Sequence, residues 1–249
     1  MDRTVRFGVL AGGISVGSEE VTAGTLSGLF KDLTDGTDVL VSNFHVFSGK
    51  PGRTLILQPG KHDGGKAPDD VVGVLKRYVP IDGHGGLPWW LRALAVLFGW
   101  LLGQGGGPNY VDAAVAAFRP SDPTRTAAKG VYLEDGRVIF PRSTMTGDGI
   151  AGRKVWKVGR TTGLTIGEVI DDSATVKVWY GDRWVRFDDQ ILVQGRSQGG
   201  DSGSPTFVMM GDQPSEHDAF VGLLFAGGDG TWVTCKYKYI LEMLRVRWD

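Results

Sequence analysis

The sequence predicts an all-β protein, a sandwich or barrel of short strands. Three observations carry this. Val, Thr, Phe and Trp recur in short runs. Glycine reaches 39 of 249 residues, which implies many turns and close backbone approaches. Turn signals separate the apolar runs at regular spacing.

TAGTLSGLFKD (Thr22 to Asp32) leads through TDGTD into DVLVSNFHVF (Asp38 to Phe47), a hairpin with Asp35-Gly36 at its turn. A turn-rich stretch, LQPGKHDGGKAPDD, precedes the strand VVGVLKRYVPI (Val71 to Ile81). In the second half, KVWKVGRTTGLTIGEVI (Lys154 to Ile170) holds strands around a glycine-rich turn. TVKVWYGDRWVRF (Thr175 to Phe187) alternates and turns at Gly181-Asp182. DAFVGLLFAGG (Asp218 to Gly228) is an apolar strand ending in glycines. YKYILEMLRVRW (Tyr237 to Trp248) has apolar residues at helical spacing and predicts a C-terminal helix.

Leu87 to Leu102 breaks this texture, being apolar nearly all round with Arg92 as its only charge. As a helix it would span roughly 24 Å at about 1.5 Å per residue, against the about 30 Å of a bilayer core. Three readings stay open: a helix buried in the body or against a second copy, a membrane contact, and a lid over a cleft between flanking glycines.

A net charge of −1 and the lack of a basic tract exclude nucleic acid as the expected partner. Cys235 is the only cysteine, so no intrachain disulfide forms. The N-terminus has no basic region followed by an apolar core, which predicts a cytoplasmic protein, with membrane association through Leu87–Leu102 left open.

QGGDSGSP (Gln198 to Pro205) crowds glycines around Ser202. A serine hydroxyl attacks a carbonyl only with a base to take its proton and donors to hold the oxyanion. Gly200, Asp201 and Ser202 are the oxyanion-hole candidates: the N–H groups of Gly200 and Ser202 converge, and Asp201 ties the loop from inside. The four histidines are His45, His62, His84 and His217. The last three sit in polar surroundings. His45 ends the apolar run VLVSNF and is either the base or a hydrogen-bonded core residue. Asp112 stands alone among apolar residues in NYVDAAVAAF. A buried carboxylate needs a partner: a turn it caps, an arginine, or the imidazole of a catalytic base.

In order, SNFHV, VDAAVA and GGDSGSP resemble the three triad motifs of the trypsin/chymotrypsin-like serine proteases. VGRTTG and VGLLFAGG resemble the opening of that family's second barrel and its substrate-binding strand. GGISVG, TAGTLSGL, ILQPGKHDGG and KVGRTTGLTIGEV extend the likeness to bacterial and phage-type members without disulfides, from about Gly12 to Leu244. The resemblance implies two antiparallel six-stranded β-barrels, with residues 1–118 as the first, carrying an insert at 83–107, and 119–249 as linker, second barrel and terminal helix. It implies an endopeptidase working through an acyl-enzyme on protein or peptide substrates, with His45 as base then acid, Asp112 orienting it and Ser202 as nucleophile. No metal or organic cofactor is implied. Arg196 falls near the floor of the specificity pocket, favouring acidic side chains unless it points to solvent. Phe225, Ala226 and Gly227 form the substrate strand, with Phe225 and Ala226 in place of the family's Ser-Trp; Trp232 is placed to narrow the pocket.

Ser204 replaces a glycine. No activation cleavage site is recognisable, so Asp201 must find a partner other than a new N-terminus, and no zymogen switch is expected. A protease-fold binding module and a latent protease gated by the apolar insert remain as alternatives.

Overall fold

The computed structural model describes residues 1–21, 23–81, 108–181, 183–228 and 230–248. The apolar 87–102 segment, with its proposed helix and its self-association or membrane contact, lies outside the described residues.

In chain order, β1 (Val9–Gly12), β2 (Ser15–Ser18) and β3 (Gly24–Thr25) precede the hairpin of β4 (Gly28–Asp32) and β5 (Asp38–Ser42). A single helical turn, α1 (Phe44–Phe47), follows, then β6 (Leu55–Leu57), β7 (Val71–Tyr78) and β8 (Ala114–Phe118). Short strands β9 (Thr126–Tyr132), β10 (Val138–Ile139) and β11 (Ser143–Thr144) lead to the second half. There lie β12 (Lys154–Gly159), β13 (Gly163–Trp179), β14 (Trp184–Gln194), β15 (Pro205–Val208), β16 (Ala219–Gly228) and β17 (Thr231–Lys236). The helix α2 (Tyr237–Leu244) and β18 (Val246–Arg247) follow.

The strands form two principal sheets. The first runs β18-β4-β5-β8-β7-β6-β2-β3, eight antiparallel strands rather than six, because β18 and β3 extend its ends. The second is a ring of six antiparallel strands, β12-β13-β14-β17-β16-β15, closed by pairing of β16 with β17. β11 adds to it in parallel, and β1-β9-β10 make a small third sheet in which β1 and β9 are parallel. Closure gives every ring strand two neighbours over at least part of its length, while the first sheet stays an open half-barrel.

Three apolar clusters match this plan. Leu10, Val16, Leu40, Phe47, Ile56 and Leu75 fill the first sheet. Val155, Val169, Ile191, Val193 and Trp232 fill the ring. Between the sheets, Phe30 from β4 meets Phe207 and Phe220 from β15 and β16 around Trp248.

The C-terminal helix is shorter than its periodicity predicts. Tyr237, Ile240 and Leu244 are its buried stripe. Arg245 then turns left-handed at φ 55°, a conformation a helix cannot continue. Val246 and Arg247 instead pair with Asp32 and Lys31, which brings Trp248 into the core by a strand.

Candidate active site

His45 and Asp112 are placed by one strand pair. β5 and β8 are antiparallel neighbours with Ser42 opposite Ala114, so residues just after β5 and just before β8 emerge at the same end of the sheet. There α1 begins. Asp112 Oδ1 accepts the Phe44 amide at 2.6 Å and the His45 amide at 3.3 Å, and Asn43 Nδ2 donates to the Asp112 carbonyl at 2.6 Å. Asp112 Oδ2 lies 2.5 Å from His45 Nδ1. Asp112 is fully buried and the His45 side chain is 32% exposed. The carboxylate fixes a proton on Nδ1, so Nε2 is the ring nitrogen that accepts in the neutral form and carries the second proton in the charged one. Burial alone would raise the Asp112 pKa; the His45 charge and the hydrogen bonds from His45, Tyr180 and Phe44 outweigh it and hold the group below the usual carboxylate range.

The Ser202 loop is bound on all sides. Inside it, the Asp201 amide donates to the Gln198 carbonyl at 3.0 Å and the Ser204 amide to the Asp201 carbonyl at 2.9 Å. The Gly203 amide donates to Leu224, and the Leu224 amide to Ser204. From the first sheet, the Thr25 amide reaches the Ser202 carbonyl at 2.7 Å, Thr25 Oγ1 the Gly200 carbonyl at 2.8 Å, and Ser27 Oγ the Gly203 carbonyl at 2.6 Å. Gly203 has φ +95°, and a Cβ there would stand 2.1 Å from the Thr25 carbonyl oxygen, so only glycine fits.

Asp201 finds its partner in Lys157. Both are fully buried, with Nζ 3.0 Å from Oδ2. The carboxylate also accepts the amides of Thr161, Thr162 and Gln198, each at 3.0 Å, and Thr162 Oγ1 at 2.6 Å. Burial would raise the Asp201 pKa, but the Lys157 charge and these donors hold it below the ordinary range. Arg160 adds a link between the halves through a bidentate pair with Asp63.

Of the three oxyanion candidates, Asp201 has its amide occupied within the loop. Among the described residues the amides of Gly200 and Ser202 have no acceptor. The structure brings His45 and Asp112 into contact and sets the Ser202 backbone against Thr25; no hydrogen bond joins Ser202 Oγ to His45. Gly24 measures the approach of the two segments: a Cβ there would lie 2.5 Å from Val46 Cγ2 and 2.9 Å from the Ser202 carbonyl oxygen.

The substrate-strand candidates divide. Phe225 is 3% exposed and its ring packs 4.7 Å from Phe187, so it has only a backbone to offer. Ala226 is half-buried and Gly227 exposed. β15 pairs with β16 only as far as Leu223, and from Ala226 to Gly228 β17 holds β16 on one side. Gly227 faces Ser197, whose Oγ would lie 2.1 Å from a Cβ at that position. Arg196 is exposed, and its carbonyl accepts a bond from Thr165. Trp232 is fully buried inside the ring, its indole against Gly167 and Gly195.

Sequence reading missed Lys157, Ser197 and Tyr180. Lys157 had a signal, a lone cation in the apolar run VWKVG, which demands an acid. Tyr180, whose hydroxyl donates to Asp112 Oδ2 at 2.6 Å, had none. Among the described residues no group of three His, Cys, Asp or Glu side chains is placed to hold a metal ion, and no helix is long and apolar enough to cross a membrane.

No family model and no curated protein matches the sequence. The fold has clear counterparts among solved structures. A Nocardiopsis protease is 16% identical, with 95% of this chain and 97% of that one covered at a TM-score of 0.61. Thermobifida fusca protease A is 14% identical, with 96% and 97% covered at 0.62. A glutamic acid-specific serine protease is 17% identical, with 96% and 100% covered at 0.62. The chain therefore has the chymotrypsin-like fold of bacterial serine proteases.

Proposed function

We propose that this chain is a serine endopeptidase that hydrolyses peptide bonds through an acyl-enzyme. The observation that carries the reading is the 2.5 Å contact between His45 Nδ1 and a fully buried Asp112 carboxylate, on a segment that Gly24 brings close to a glycine-rich loop with two unengaged amides. In the proposed reaction His45 Nε2 takes the Ser202 Oγ proton as the oxygen attacks the scissile carbonyl. The oxyanion is met by the Gly200 and Ser202 N–H groups. Collapse breaks the C–N bond, and His45 returns the proton to the leaving amine. A water molecule, deprotonated by His45, then attacks the acyl group, and Ser202 leaves with that proton. Asp112 stays ionised throughout and balances the imidazolium.

An extended peptide would add alongside β16 at Phe225–Gly227 through backbone hydrogen bonds. Arg196 is the exposed cation from which a preference for acidic side chains would come, and one protease of similar fold is glutamic acid-specific. The buried Lys157–Asp201 pair supports activity without proteolytic activation, since the cation that holds the loop already lies within the body of the chain.

The test is labelling of Ser202 by a fluorophosphonate probe, with peptide-library hydrolysis measured alongside. Both should be lost in Ser202→Ala with the far-UV spectrum unchanged, and labelling should be lost in His45→Ala. A folded wild-type protein that neither labels nor cleaves would overturn the reading in favour of a protease-fold binding module.

A further inference from the structure

Asp112 has a second side-chain donor, delivered by the opposite sheet. Tyr180 ends the outgoing arm of the β13–β14 hairpin; its amide donates to the Arg183 carbonyl at 2.9 Å across a turn where Gly181 takes φ +83°. The hairpin departs from regular register at three places between Val169 and Val176, and Asp189 takes φ 57° opposite them, as expected of bulges that bend a long ribbon. The chain leading to Asp112 is clamped to the same ribbon: the Asp188 amide donates to the Asn109 carbonyl at 2.9 Å. The Tyr180 ring lies edge-on to His45, with centroids 5.9 Å apart, and stacks on Phe187. One carboxylate oxygen, Oδ2, thus takes both the His45 Nδ1–H and the Tyr180 O–H.

We propose that Tyr180 is a positioning residue for the His45–Asp112 pair, its hydroxyl fixing the carboxylate and moderating the pull that this carboxylate exerts on the imidazole proton. The inference rests on the protease reading above. The argument has two parts. Two donors on Oδ2 and two on Oδ1 leave the carboxylate no rotation, so the imidazole plane is set as well. An oxygen shared between two donors also stabilises an imidazolium less than one that serves the imidazole alone. Among the described residues the titratable groups facing Asp112 are His45 on α1, Tyr180 on the hairpin and the Cys235 thiol on β17. Burial, reinforced by the Asp112 charge, pushes the thiol up to about 12. Burial and the same charge push the phenol far above its ordinary range, so its hydroxyl is protonated and able to donate at both pH 6.5 and pH 9.

Tyr180→Phe keeps the ring and removes the hydroxyl, and Tyr180→Ala removes both. The readouts are the acid limb of the fluorophosphonate labelling rate and, independent of any turnover, the pH at which the His45 Nδ1 proton resonance moves. In Tyr180→Phe both should shift upward together by about half a pH unit or more, with labelling at pH 6.5 slowed about twofold or more and largely restored at pH 9. A Phe variant with the wild-type resonance profile overturns the proposal, even with Tyr180→Ala impaired, because packing alone would then explain the residue. Should the wild-type protein fail to label, the protease reading falls, while the resonance shift still decides whether Tyr180 tunes His45.

Discussion

Replacing Lys157 with methionine tests the account of the Ser202 loop most directly. The substitution keeps most of the aliphatic length and removes the charge, so little packing is lost. What remains is a fully buried Asp201 carboxylate with four of its five donors, the amides of Thr161, Thr162 and Gln198 and the Thr162 hydroxyl. Removing one partner of a buried ion pair costs about 3–5 kcal/mol; the surviving donors place this case near the low end, about 3 kcal/mol. At roughly 2–4 °C per kcal/mol for a chain of this size, the melting temperature should fall by about 6–12 °C. The pH dependence has a definite sign. Asp201 is held below its unfolded pKa, so its contribution is complete above the ordinary carboxylate range and fades as pH falls through the depressed folded value. Without Lys157 that value rises, and acid destabilisation should begin at higher pH. Urea unfolding at pH 7 and pH 5, with the labelling rate of Ser202 at each, makes the measurement. Lys157→Met/Asp201→Asn should recover part of the stability lost in the single variant. The reasoning is refuted by a single variant within about 1 kcal/mol of wild type, or by a double variant that is no more stable than the single one.

Gly203→Ala forces a side chain into a left-handed position 2.1 Å from the Thr25 carbonyl oxygen; it should cost more than about 1 kcal/mol and abolish Ser202 labelling, read by urea melt and probe gel. Trp248→Ala removes an indole stacked on Phe220 at 4.8 Å and anchored to the Pro141 carbonyl at 2.6 Å. Unfolding by urea should show a loss of about 3–5 kcal/mol.

What the sequence made legible follows from what is local or charged. Asp112 stood out because a lone acid in an apolar run must have a partner, and the β5–β8 pairing supplies one. Gly203 and its neighbours marked a loop that side chains cannot enter. Periodicity alone carries the C-terminal helix too far, because Ile240, Leu244 and Trp248 keep a four-residue spacing whether Trp248 is buried by a helix or, as here, by a strand beyond Arg245. Correspondence with a substrate strand picks out the backbone of Phe225 and says nothing of its ring, which packs on Phe187 in the core. Tyr180 was invisible because its partner lies 68 residues away on another sheet, and an aromatic beside a hairpin turn carries no periodic signature. Lys157 was the opposite case: its charge was in view, and only the fold could say which acid it met.

The pairing of Val246 and Arg247 with Asp32 and Lys31 sets an order of events during synthesis. A nascent N-terminal half emerging from the ribosome leaves the outer edge of β4 bare until the whole ring sequence has followed. That edge ends in Lys31 and Asp32, charges that discourage a second nascent chain from docking there in the interval. Vectorial folding of the two halves is therefore incomplete by construction, and the half-barrel holding His45 and Asp112 is finished by the segment that lies beyond Ser202.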